Sequence, residues 1–539
     1  MAEDNTYVLK GPSSSKTVPN TSVGKLIYDQ LLTHCCEHEA MVDARTEQSI
    51  SYKDLFSKTC SLAASLQKSG YDQNTIVTIF SENCVEYFIP VLSTLYIGAT
   101  VAPVNSNSTK LELTHALNLS KSQIIFCSKQ TSSTLMDLKK ELGFIKKIIV
   151  IDNKENIVDM ESMDFFINSC LPSNDPLYRF EVVDVDIDNH PAFVMSSSGT
   201  TGLPKGVMLT HRNVLVTFSD IYDIGLVPEK KETCKFMILP FFHVYGLFTT
   251  LTNVYYLRRI VFLKKFEENL FLRTIEKYRI TILSLVPPIM ILLTKSPLVD
   301  KYDLSSVKFI NCGSSTLSRE TEEILKTRLK VDFIRQAYGL TEVTMLGLGI
   351  PLGCEKKGSV GKVVSYMSSK IRDPKTGKSL GPNQSGELCF KGDAVMKGYY
   401  RNEEATRKAF TSDGWFLTGD LAYYDEEGFF FIVGRLKELI KYKGFQVPPQ
   451  ELETILLRNP KIKDVAVVGL PDEEAGELPL AFVVKNSDVD LTEDEVKDFL
   501  ADKVSYHKQL RGGVRFIKEI PKSASGKILK RKLSELLNK

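Results

Sequence analysis

Apolar residues along the chain recur with two different periods. Between residues 51 and 68 they follow helical spacing after Ser51, a residue type that often caps a helix N-terminus, and these positions are Leu55, Leu62, Ala63 and Leu66. Short continuous apolar runs then recur at 75–80, 124–127, 147–151 and 307–311. Such runs, separated by helical patterns, are typical of strands buried on both faces. The chain before Gly361 therefore predicts parallel sheets covered by helices.

The pattern changes twice towards the C-terminus. From Gly361 to Tyr399, short strands alternate with Asp-Pro, Gly-Lys and Gly-Pro turns, which predicts a small antiparallel β-barrel. After Gly434 a compact α+β pattern follows, with strands predicted at 465–469, 480–485 and 514–518. We expect an α/β protein with a large N-terminal domain, 1–434, that contains parallel-rich sheets and a small β-barrel. A smaller α+β domain, 435–539, completes the chain.

Composition limits the class of protein. A chain of 539 residues is longer than one hydrophobic core usually organises, and 43% apolar and 25% charged residues are ordinary for a globular protein. The 68 basic and 66 acidic residues nearly cancel, so we expect no nucleic-acid partner. Ten cysteines without a CxxC pair indicate a reducing compartment. The polar N-terminus lacks a signal-peptide core, and the longest apolar run, 282–293, is too short for a transmembrane segment. We therefore expect an intracellular protein that is not secreted.

The strongest chemical signal is the segment SSSGTTGLPKG at 196–206, which directly follows an apolar strand. Its glycines let the backbone approach a ligand closely with N–H groups turned inwards, and its hydroxyls add further donors. Lys205 neutralises charge, so the segment suits a polyphosphate. A Ser/Gly-rich linker is the alternative, but a linker would not lie between a buried strand and the apolar 207–209. The candidate phosphate-binding residues are Ser196, Ser197, Ser198, Gly199, Thr200, Thr201, Gly202 and Lys205.

This loop resembles the phosphate loop of the adenylate-forming (AMP-binding) superfamily, which includes acyl-CoA synthetases, 4-coumarate–CoA ligases and beetle luciferases. Four further segments resemble family motifs in the same order: YGLTE at 338–342, GWFLTGD at 414–420, GRLKELIKYKG at 434–444 and PKSASGK at 521–527. The resemblance implies ATP-dependent activation of a carboxylic acid through an acyl-AMP intermediate, followed by transfer to coenzyme A. It also implies that the C-terminal domain is mobile.

The resemblance assigns roles at the nucleotide. Tyr338 offers a stacking face for adenine and Thr341 a phosphate donor, while Glu342, with Thr200, supplies oxygen ligands for Mg²⁺. Asp420 accepts the ribose hydroxyls, and Arg435 contacts the same sugar. The remaining nucleotide-binding positions that the resemblance implies are Gly313, Ser314, Ser315, Gly339 and Leu340.

The resemblance also assigns catalytic roles. Lys527 bridges the carboxylate and the phosphate oxygens during adenylation, where two anions must be brought together. His243 lies beside the acyl channel, although a core histidine is the alternative. For the thiol step the C-terminal domain is expected to rotate about Gly434, a position where relatives often have Asp or Lys. Lys441, Lys443 and Gly444 would then close over the pantetheine arm of coenzyme A.

The range of possible acid substrates is restricted by positions at which the sequence departs from the luciferase pattern. Segments 295–306, 475–479 and 510–514 resemble beetle members, but several pocket positions differ, namely Thr217, Val244, Tyr245, Ser314, Ser315, Met345 and Leu346. Bulkier apolar side chains narrow a planar slot while still admitting an aliphatic chain. We expect a medium- or long-chain fatty acyl-CoA synthetase. The alternatives are a 4-coumarate-like aromatic acid ligase, a luciferase-type monooxygenase that oxidises its adenylate with O₂, and a binder without turnover.

The compartment follows from the same resemblance. Relatives are often peroxisomal, yet residues 537–539, Leu-Asn-Lys, are not the SKL peroxisomal signal. We therefore expect the peroxisome, by resemblance, or the cytosol.

Overall fold

The computed structural model describes residues 6–14, 17–34, 36–157, 160–171, 180–197, 204–223, 233–313, 317, 319–331, 333–351, 353–486, 489–523 and 526–537. Within these residues none of the helices is long and apolar enough to cross a bilayer.

Two large sheets form the body of the molecule. The strands of the first sheet, in spatial order, are Gly398–Tyr399, Lys205–Thr210, Pro191–Ser197, Thr100–Val104, Ile76–Phe80, Ile124–Cys127, Lys147–Val150 and Glu161–Ser162. Those of the second sheet are Lys362–Val363, Leu348–Gly349, Phe333–Tyr338, Phe309–Cys312, Ile282–Leu285, Cys234–Met237, Arg259–Phe262, Glu39–Asp43 and Ser49–Ser51. The inner strands of both sheets are parallel, and antiparallel pairs occur towards the edges.

Two smaller sheets complete the fold. The third sheet is antiparallel, in the order Leu9–Lys10, Met367–Arg372, Gly386–Gly392, Phe416–Tyr424 and Phe430–Arg435, with Ser379–Leu380 paired to the second of these strands. The C-terminal sheet has the order Phe445–Val447, Ile440–Tyr442, Gly476–Lys485 and Ile462–Asp472, with Gly513–Phe516 parallel to Gly476–Lys485.

Helices cover the faces of these sheets. The α-helices are Val23–His34, Tyr52–Lys68, Phe88–Tyr96, Lys110–Ser120, Lys129–Glu141, Met163–Cys170, His211–Asp223, Val244–Tyr255, Glu268–Tyr278, Pro287–Lys295, Arg319–Leu329, Glu403–Ala409, Pro449–Leu456, Glu493–Ala501 and Lys530–Glu535. Short 3₁₀ turns occur at Pro297–Lys301, Thr341–Val343, Leu436–Glu438 and Tyr506–Lys508. The α/β class predicted from the sequence is confirmed.

Local sequence explains the first elements. Ser51 caps the helix Tyr52–Lys68, where its side chain accepts a hydrogen bond from the backbone N–H of Asp54, as its position before the helical pattern predicts. Every residue of the helix Phe88–Tyr96 is buried, and its apolar side chains belong to the main core shared by the two large sheets. Its serine and threonine, Ser93 and Thr94, donate to the backbone carbonyls of Ile89 and Pro90. The buried strand predicted at 124–127 has those bounds, and the run at 307–311 begins two residues later, at Phe309.

The predicted barrel region differs in extent. The antiparallel strands do not stop at Tyr399, because the third sheet continues to Arg435 and also takes the N-terminal strand Leu9–Lys10. Gly398–Tyr399 belongs instead to the edge of the first sheet. These pairings join segments that are remote along the chain, so the spacing of turns could not indicate them.

The C-terminal segment has a core of its own. Ile440, Leu452, Val465, Ala481 and Val514 belong to one buried cluster that contains no residue before 440. One of its contacts with the preceding part is an exposed ion pair of 3.0 Å between Arg458 Nε and Glu320 Oε2. Such exposed pairs contribute little, so the two parts are held together weakly at this point.

Candidate active site

A crevice of about 1220 Å³ lies where the three N-terminal sheets meet the C-terminal segment. Its walls include the carboxyl ends of the parallel strands Phe309–Cys312 and Phe333–Tyr338, a position where open α/β sheets commonly bind ligands. The first sheet adds Ser196, Ser197 and Lys205, and the C-terminal loop adds Lys527. All five predicted motifs therefore contribute residues to this crevice.

A carboxylate with two different partners lies at one end of this crevice. The hydroxyl of Tyr338 donates to Asp420 Oδ2 at 2.6 Å, and Arg435 Nε lies 3.3 Å from Asp420 Oδ1. Asp420 and Arg435 are cross-strand partners in the third sheet, which fixes their spacing. The ring of Tyr338 stacks on Phe390 with centroids 6.1 Å apart. Each carboxylate oxygen is thus oriented before any ligand arrives.

Charges at this end are partly desolvated. Burial raises the pKa of Asp420 despite the opposing effects of Arg435, Tyr338 and Lys527. Burial lowers the pKa of Lys527, and the charge of Arg435 lowers it further, while Asp420 and Glu342 oppose this shift. Because water is largely displaced, an anion brought beside Lys527 will be attracted more strongly than at a surface lysine.

A second carboxylate lies near the phosphate loop. The hydroxyl of Tyr399 donates to Glu342 Oε1 at 3.1 Å, and Lys205 Nζ lies 4.5 Å from the centroid of the Tyr399 ring. Burial, followed by the charge of Glu342, raises the pKa of Tyr399. Glu342 is therefore held as an oxygen donor of the type that Mg²⁺ prefers. In the described part of the chain no group of three or more His, Cys, Asp or Glu side chains could hold a metal ion.

The turn after Tyr338 is tightly constrained. A Cβ on Gly339 would lie 1.5 Å from the carbonyl oxygen of Met345, so only glycine fits there. Thr344 and Met345 adopt positive φ angles of 51° and 85°, which non-glycine residues rarely do. Backbone strain of this kind is common at functional sites. The YGLTE motif thus owes its glycine to a close approach between two parts of one loop.

A histidine and a tyrosine form the other wall. His243 caps the helix Val244–Tyr255, where its Nδ1 accepts from the backbone N–H of Tyr245 at 3.3 Å. Burial, with a smaller effect of Lys527, lowers the pKa of His243 to about 4, so the imidazole is neutral and can donate from Nε2. The Tyr245 ring packs on Gly313, where a Cβ would lie 2.9 Å from it. His243 lines the crevice, so it belongs to the crevice wall.

Some predicted residues lie elsewhere. Lys441, Lys443 and Gly444 are exposed on the C-terminal segment and do not line this crevice. The other predicted positions, Ser198, Gly199, Thr200, Thr201, Gly202, Ser314 and Ser315, lie outside the described residues. Gly313, Leu340 and Thr341 line the crevice as expected.

Thr217 was predicted to line the acyl pocket, but the structure places it outside the crevice. Its side chain is completely buried, and its hydroxyl donates to the carbonyl oxygens of Asn213 and Thr344 at 3.0 and 2.9 Å. The Thr217 side chain cannot contact a ligand in this arrangement, because it is buried and its hydroxyl is already hydrogen-bonded to these two carbonyl oxygens. Val244, Tyr245, Met345 and Leu346 do line the crevice, so the rest of the described acyl-pocket set is in place.

Sequence reasoning missed Tyr399, Asn311 and Arg335, all of which line the crevice. Tyr399 reaches it because its short strand pairs with the strand after the phosphate loop. Asn311 and Arg335 occupy matching positions on neighbouring parallel strands. A polar residue inside an apolar strand was the only local signal for the last two.

The chain matches known family models over most of its length. The model described as AMP-binding enzyme matches residues 28–400, and the model described as AMP-binding enzyme C-terminal domain matches residues 451–527.

Full-length relatives share this fold. The chain is 41% identical to the luciferin 4-monooxygenase of Photuris pensylvanica, covering 99% of this chain and 98% of the relative. It is 37% identical to a probable 4-coumarate–CoA ligase of Dictyostelium discoideum, covering 96% of both. Among solved structures, a red-emitting luciferase from Phrixothrix hirtus superposes with a TM-score of 0.74 at 38% identity, covering 99% of each chain. ATP-bound MatB from Rhodopseudomonas palustris gives 0.85 at 26% identity, covering 96% of this chain and 99% of MatB.

Proposed function

Because the chain belongs to the AMP-binding enzyme family, we propose that it activates a carboxylic acid with ATP and transfers the acyl group to coenzyme A. The proposed acid is a medium- or long-chain fatty acid. The reaction passes through an acyl-AMP intermediate, with Mg²⁺ bound to the nucleotide phosphates.

The observation that carries this proposal is the position of Lys527. Its half-buried ammonium group comes from the C-terminal segment and lies near Asp420, Arg435 and Glu342 in a crevice otherwise built by the N-terminal domain. A mobile positive charge opposite a fixed nucleotide end suits a reaction in which two anions must approach each other.

In the first half-reaction, an oxygen of the carboxylate attacks the α-phosphorus of ATP and the bond to pyrophosphate breaks. Asp420 accepts the ribose hydroxyls beside Arg435, and Tyr338 supplies the adenine face. Lys527 is positioned to neutralise the oxygens of both reactants as negative charge gathers at phosphorus. Mg²⁺, held by Glu342 and by Thr200 as in the family, would neutralise the leaving pyrophosphate.

In the second half-reaction, the thiol sulfur of coenzyme A attacks the acyl carbon and AMP leaves. We propose a domain boundary between residues 434 and 435, with rotation of 435–539 removing Lys527 from the crevice. Gly434 and Arg435 are still paired within the third sheet, and the 3₁₀ turn Leu436–Glu438 follows them directly. The exposed Lys441, Lys443 and Gly444 would then face the pocket, which is a step of the lid type.

The acyl end supports an extended apolar group. Val244, Met345 and Leu346 line it and are less than a tenth exposed, so little of each side chain is open to water. An aliphatic chain gains free energy in proportion to the area that it buries there, at about 25 cal/mol per Å². Fatty acids therefore remain the proposed substrates.

Luciferase-type oxidation is a second candidate, because relatives at 41% identity are luciferin 4-monooxygenases. In that case O₂ would oxidise the adenylate and light would be emitted. A 4-coumarate-like aromatic acid ligase is favoured by the relatives at 37% identity. All three candidates share the adenylation step.

The test measures AMP release from purified protein with ATP, Mg²⁺ and a panel of acids, with and without coenzyme A. The panel holds octanoate, dodecanoate, palmitate, 4-coumarate and luciferin, and photons are counted in parallel. Lys527→Ala is the inactive reference, and Lys503→Ala, an exposed lysine outside the crevice, is its matched control.

CoA-dependent AMP release from fatty acids, lost only in Lys527→Ala, is the expected result. Turnover restricted to luciferin with photon emission, or to 4-coumarate, would replace the substrate and keep the adenylation step. Nucleotide binding without AMP from any acid would overturn the proposed function.

A further inference from the structure

The helix Lys110–Ser120 places a histidine against the strand that follows the predicted phosphate loop. His115 Nε2 lies 2.9 Å from the carbonyl oxygen of Pro204, the residue immediately before the strand Lys205–Thr210. A carbonyl oxygen can only accept a hydrogen bond, so Nε2 carries the proton and donates it. The bond joins residues that are 89 positions apart in the chain, so it fixes a tertiary contact.

The helix that carries His115 is firmly anchored. A capping box at its start pairs the side chains and backbone N–H groups of Thr109 and Glu112. Leu113 and Leu117 are completely buried in a core cluster that includes strands of the first sheet. The imidazole therefore extends from a rigid element, and such an element can hold another segment in a precise position.

A second contact of the same helix supports this alignment. Leu119 comes four residues after His115, so both side chains lie on one face of the helix. A Cβ on Gly206 would lie 2.9 Å from Leu119 Cδ2, so this leucine packs directly on the strand. The chain is therefore held at Pro204 by a hydrogen bond and at Gly206 by packing, on either side of Lys205.

Lys205 is the residue that these two contacts enclose. Its Nζ lies 4.5 Å from the centroid of the Tyr399 ring, and the Tyr399 hydroxyl donates to Glu342. All three residues line the crevice. The contact of a cation with an aromatic ring is weak where water has access. The backbone of Lys205 therefore needs support from a neighbouring element if its ammonium group is to stay in one place.

Other histidines distinguish this contact from ordinary packing. His190 Nε2 also lies 2.8 Å from a backbone carbonyl, that of Gly98, but His190 does not line the crevice. His243 lines the crevice and bonds to the start of its own helix. Among the described histidines, only His115 combines a place in the crevice wall with a bond to the segment that is predicted to bind phosphate.

We propose that His115 is a positioning residue for Lys205. Through the Pro204 carbonyl it holds the backbone before Lys205, so that the ammonium group stays over the Tyr399 ring, on the side of the crevice where Glu342 and the β- and γ-phosphates of ATP meet. The imidazole acts through its N–H group and not through its charge. This inference rests on the proposed adenylation function and adds to it a residue outside the five motifs.

Equilibrium binding of nucleotides tests this role without turnover. Isothermal titration calorimetry gives Kd for ATP with Mg²⁺ and for AMP, which lacks the β- and γ-phosphates. His115→Leu removes the donor. We expect its Kd for ATP to rise about three- to tenfold, the effect of one hydrogen bond, while its Kd for AMP changes by less than about twofold. Steady-state kinetics should show the same difference, with a rise in KM for ATP and none in KM for the acid.

Two amide variants separate positioning from other roles. The amide nitrogen of Gln extends about as far from the backbone as Nε2 of His, whereas that of Asn extends only about as far as Nδ1. We expect His115→Gln to recover most of the wild-type affinity for ATP, and His115→Asn to be as weak as His115→Leu. Neither amide carries a charge. His34→Leu, at an exposed histidine outside the crevice, is the matched control.

Three results would each overturn the inference. They are equal ATP affinities of the Gln and Asn variants, an equal loss of ATP and AMP affinity, and unchanged ATP binding in His115→Leu. If His115→Leu does not fold, as its Tm would show, the comparison of the two polar variants decides. All three results leave the adenylation function intact, because AMP release by the wild-type protein tests that function separately. Wild-type protein that binds no ATP would overturn both.

Discussion

Replacing Lys527 by Ala should separate the two half-reactions. Lys527 lies near Asp420, Arg435 and Glu342, so the truncation removes a positive charge from the place where carboxylate and phosphate meet. We expect formation of acyl-adenylate to fall steeply. The transfer of a preformed acyl group to coenzyme A should change little, because that step does not use this lysine.

The structure sets the size of the effect. A preorganised donor in a water-excluded site contributes about 3–4 kcal/mol to transition-state stabilisation, which corresponds to about 100- to 1000-fold in rate. Lys527 is half-buried, and its repulsion from Arg435 is relieved on truncation. Both features place the expected loss of adenylation rate near the lower end of this range, at about 100-fold.

Each half-reaction can be measured separately with its own assay. Exchange of labelled pyrophosphate into ATP, in the presence of the acid and without coenzyme A, reports adenylation. Consumption of a synthetic acyl-adenylate with coenzyme A reports transfer. The pH dependence adds a check: burial lowers the pKa of Lys527, so kcat/KM for adenylation should fall with rising pH at a value below that of an ordinary lysine, as the ammonium loses its proton.

The control is Lys503→Ala, which removes an exposed lysine of the same domain. Exchange within a few-fold of the wild type in Lys527→Ala, or equal losses in both half-reactions, would refute the assigned role. In the first case the charge would be dispensable, and in the second the variant would have lost the fold or the domain motion.

Three further changes probe other walls of the crevice. Tyr338→Phe removes the hydroxyl that donates to Asp420, and we expect the KM for ATP to rise about tenfold in steady-state assays, since hydrogen bonds to charged groups contribute about 1.5–3 kcal/mol. Burial lowers the pKa of His243 to about 4, so its imidazole is neutral above that pH. The dependence of activity on pH between about 5 and 8 should therefore not report its titration. The His243→Asn variant should keep the shape of the wild-type pH profile. Gly313→Ala places a methyl group 2.9 Å from the Tyr245 ring, and steady-state kinetics should show a larger rise in KM for the acid than for ATP.

Contrary results have clear meanings. Gly143→Ala is the control for Gly313, because a Cβ at Gly143 meets no atom within 4 Å. Equal effects of both substitutions would show that crowding of the tyrosine ring is unimportant. A KM for ATP unchanged in Tyr338→Phe would mean that Asp420 is oriented by Arg435 alone. A limb of the pH profile that vanishes in His243→Asn would mean that this imidazole titrates in the working range.

The sequence alone predicted those features of the fold and the site that depend on residues close together in the chain. Apolar runs specified the inner strands, and Ser51 marked a helix start, because strand burial and capping act within a few residues. The segment at 196–206 and the YGLTE motif identified the family, because each motif is a run of neighbouring residues that can be recognised without tertiary structure. The family models and the full-length relatives confirm that identification. The roles assigned to the individual residues remain predictions.

Tertiary structure decided which of these pieces meet. Tyr399 reaches Glu342 only because its strand joins the edge of the first sheet, and Thr217 leaves the acyl pocket because Thr344 takes its hydroxyl. Asn311 and Arg335 become neighbours in the crevice wall only once the sheet aligns their two strands. Periodicity along a chain records which face of an element is buried, but not against what, because the partner of a buried face is selected by packing among segments remote in sequence.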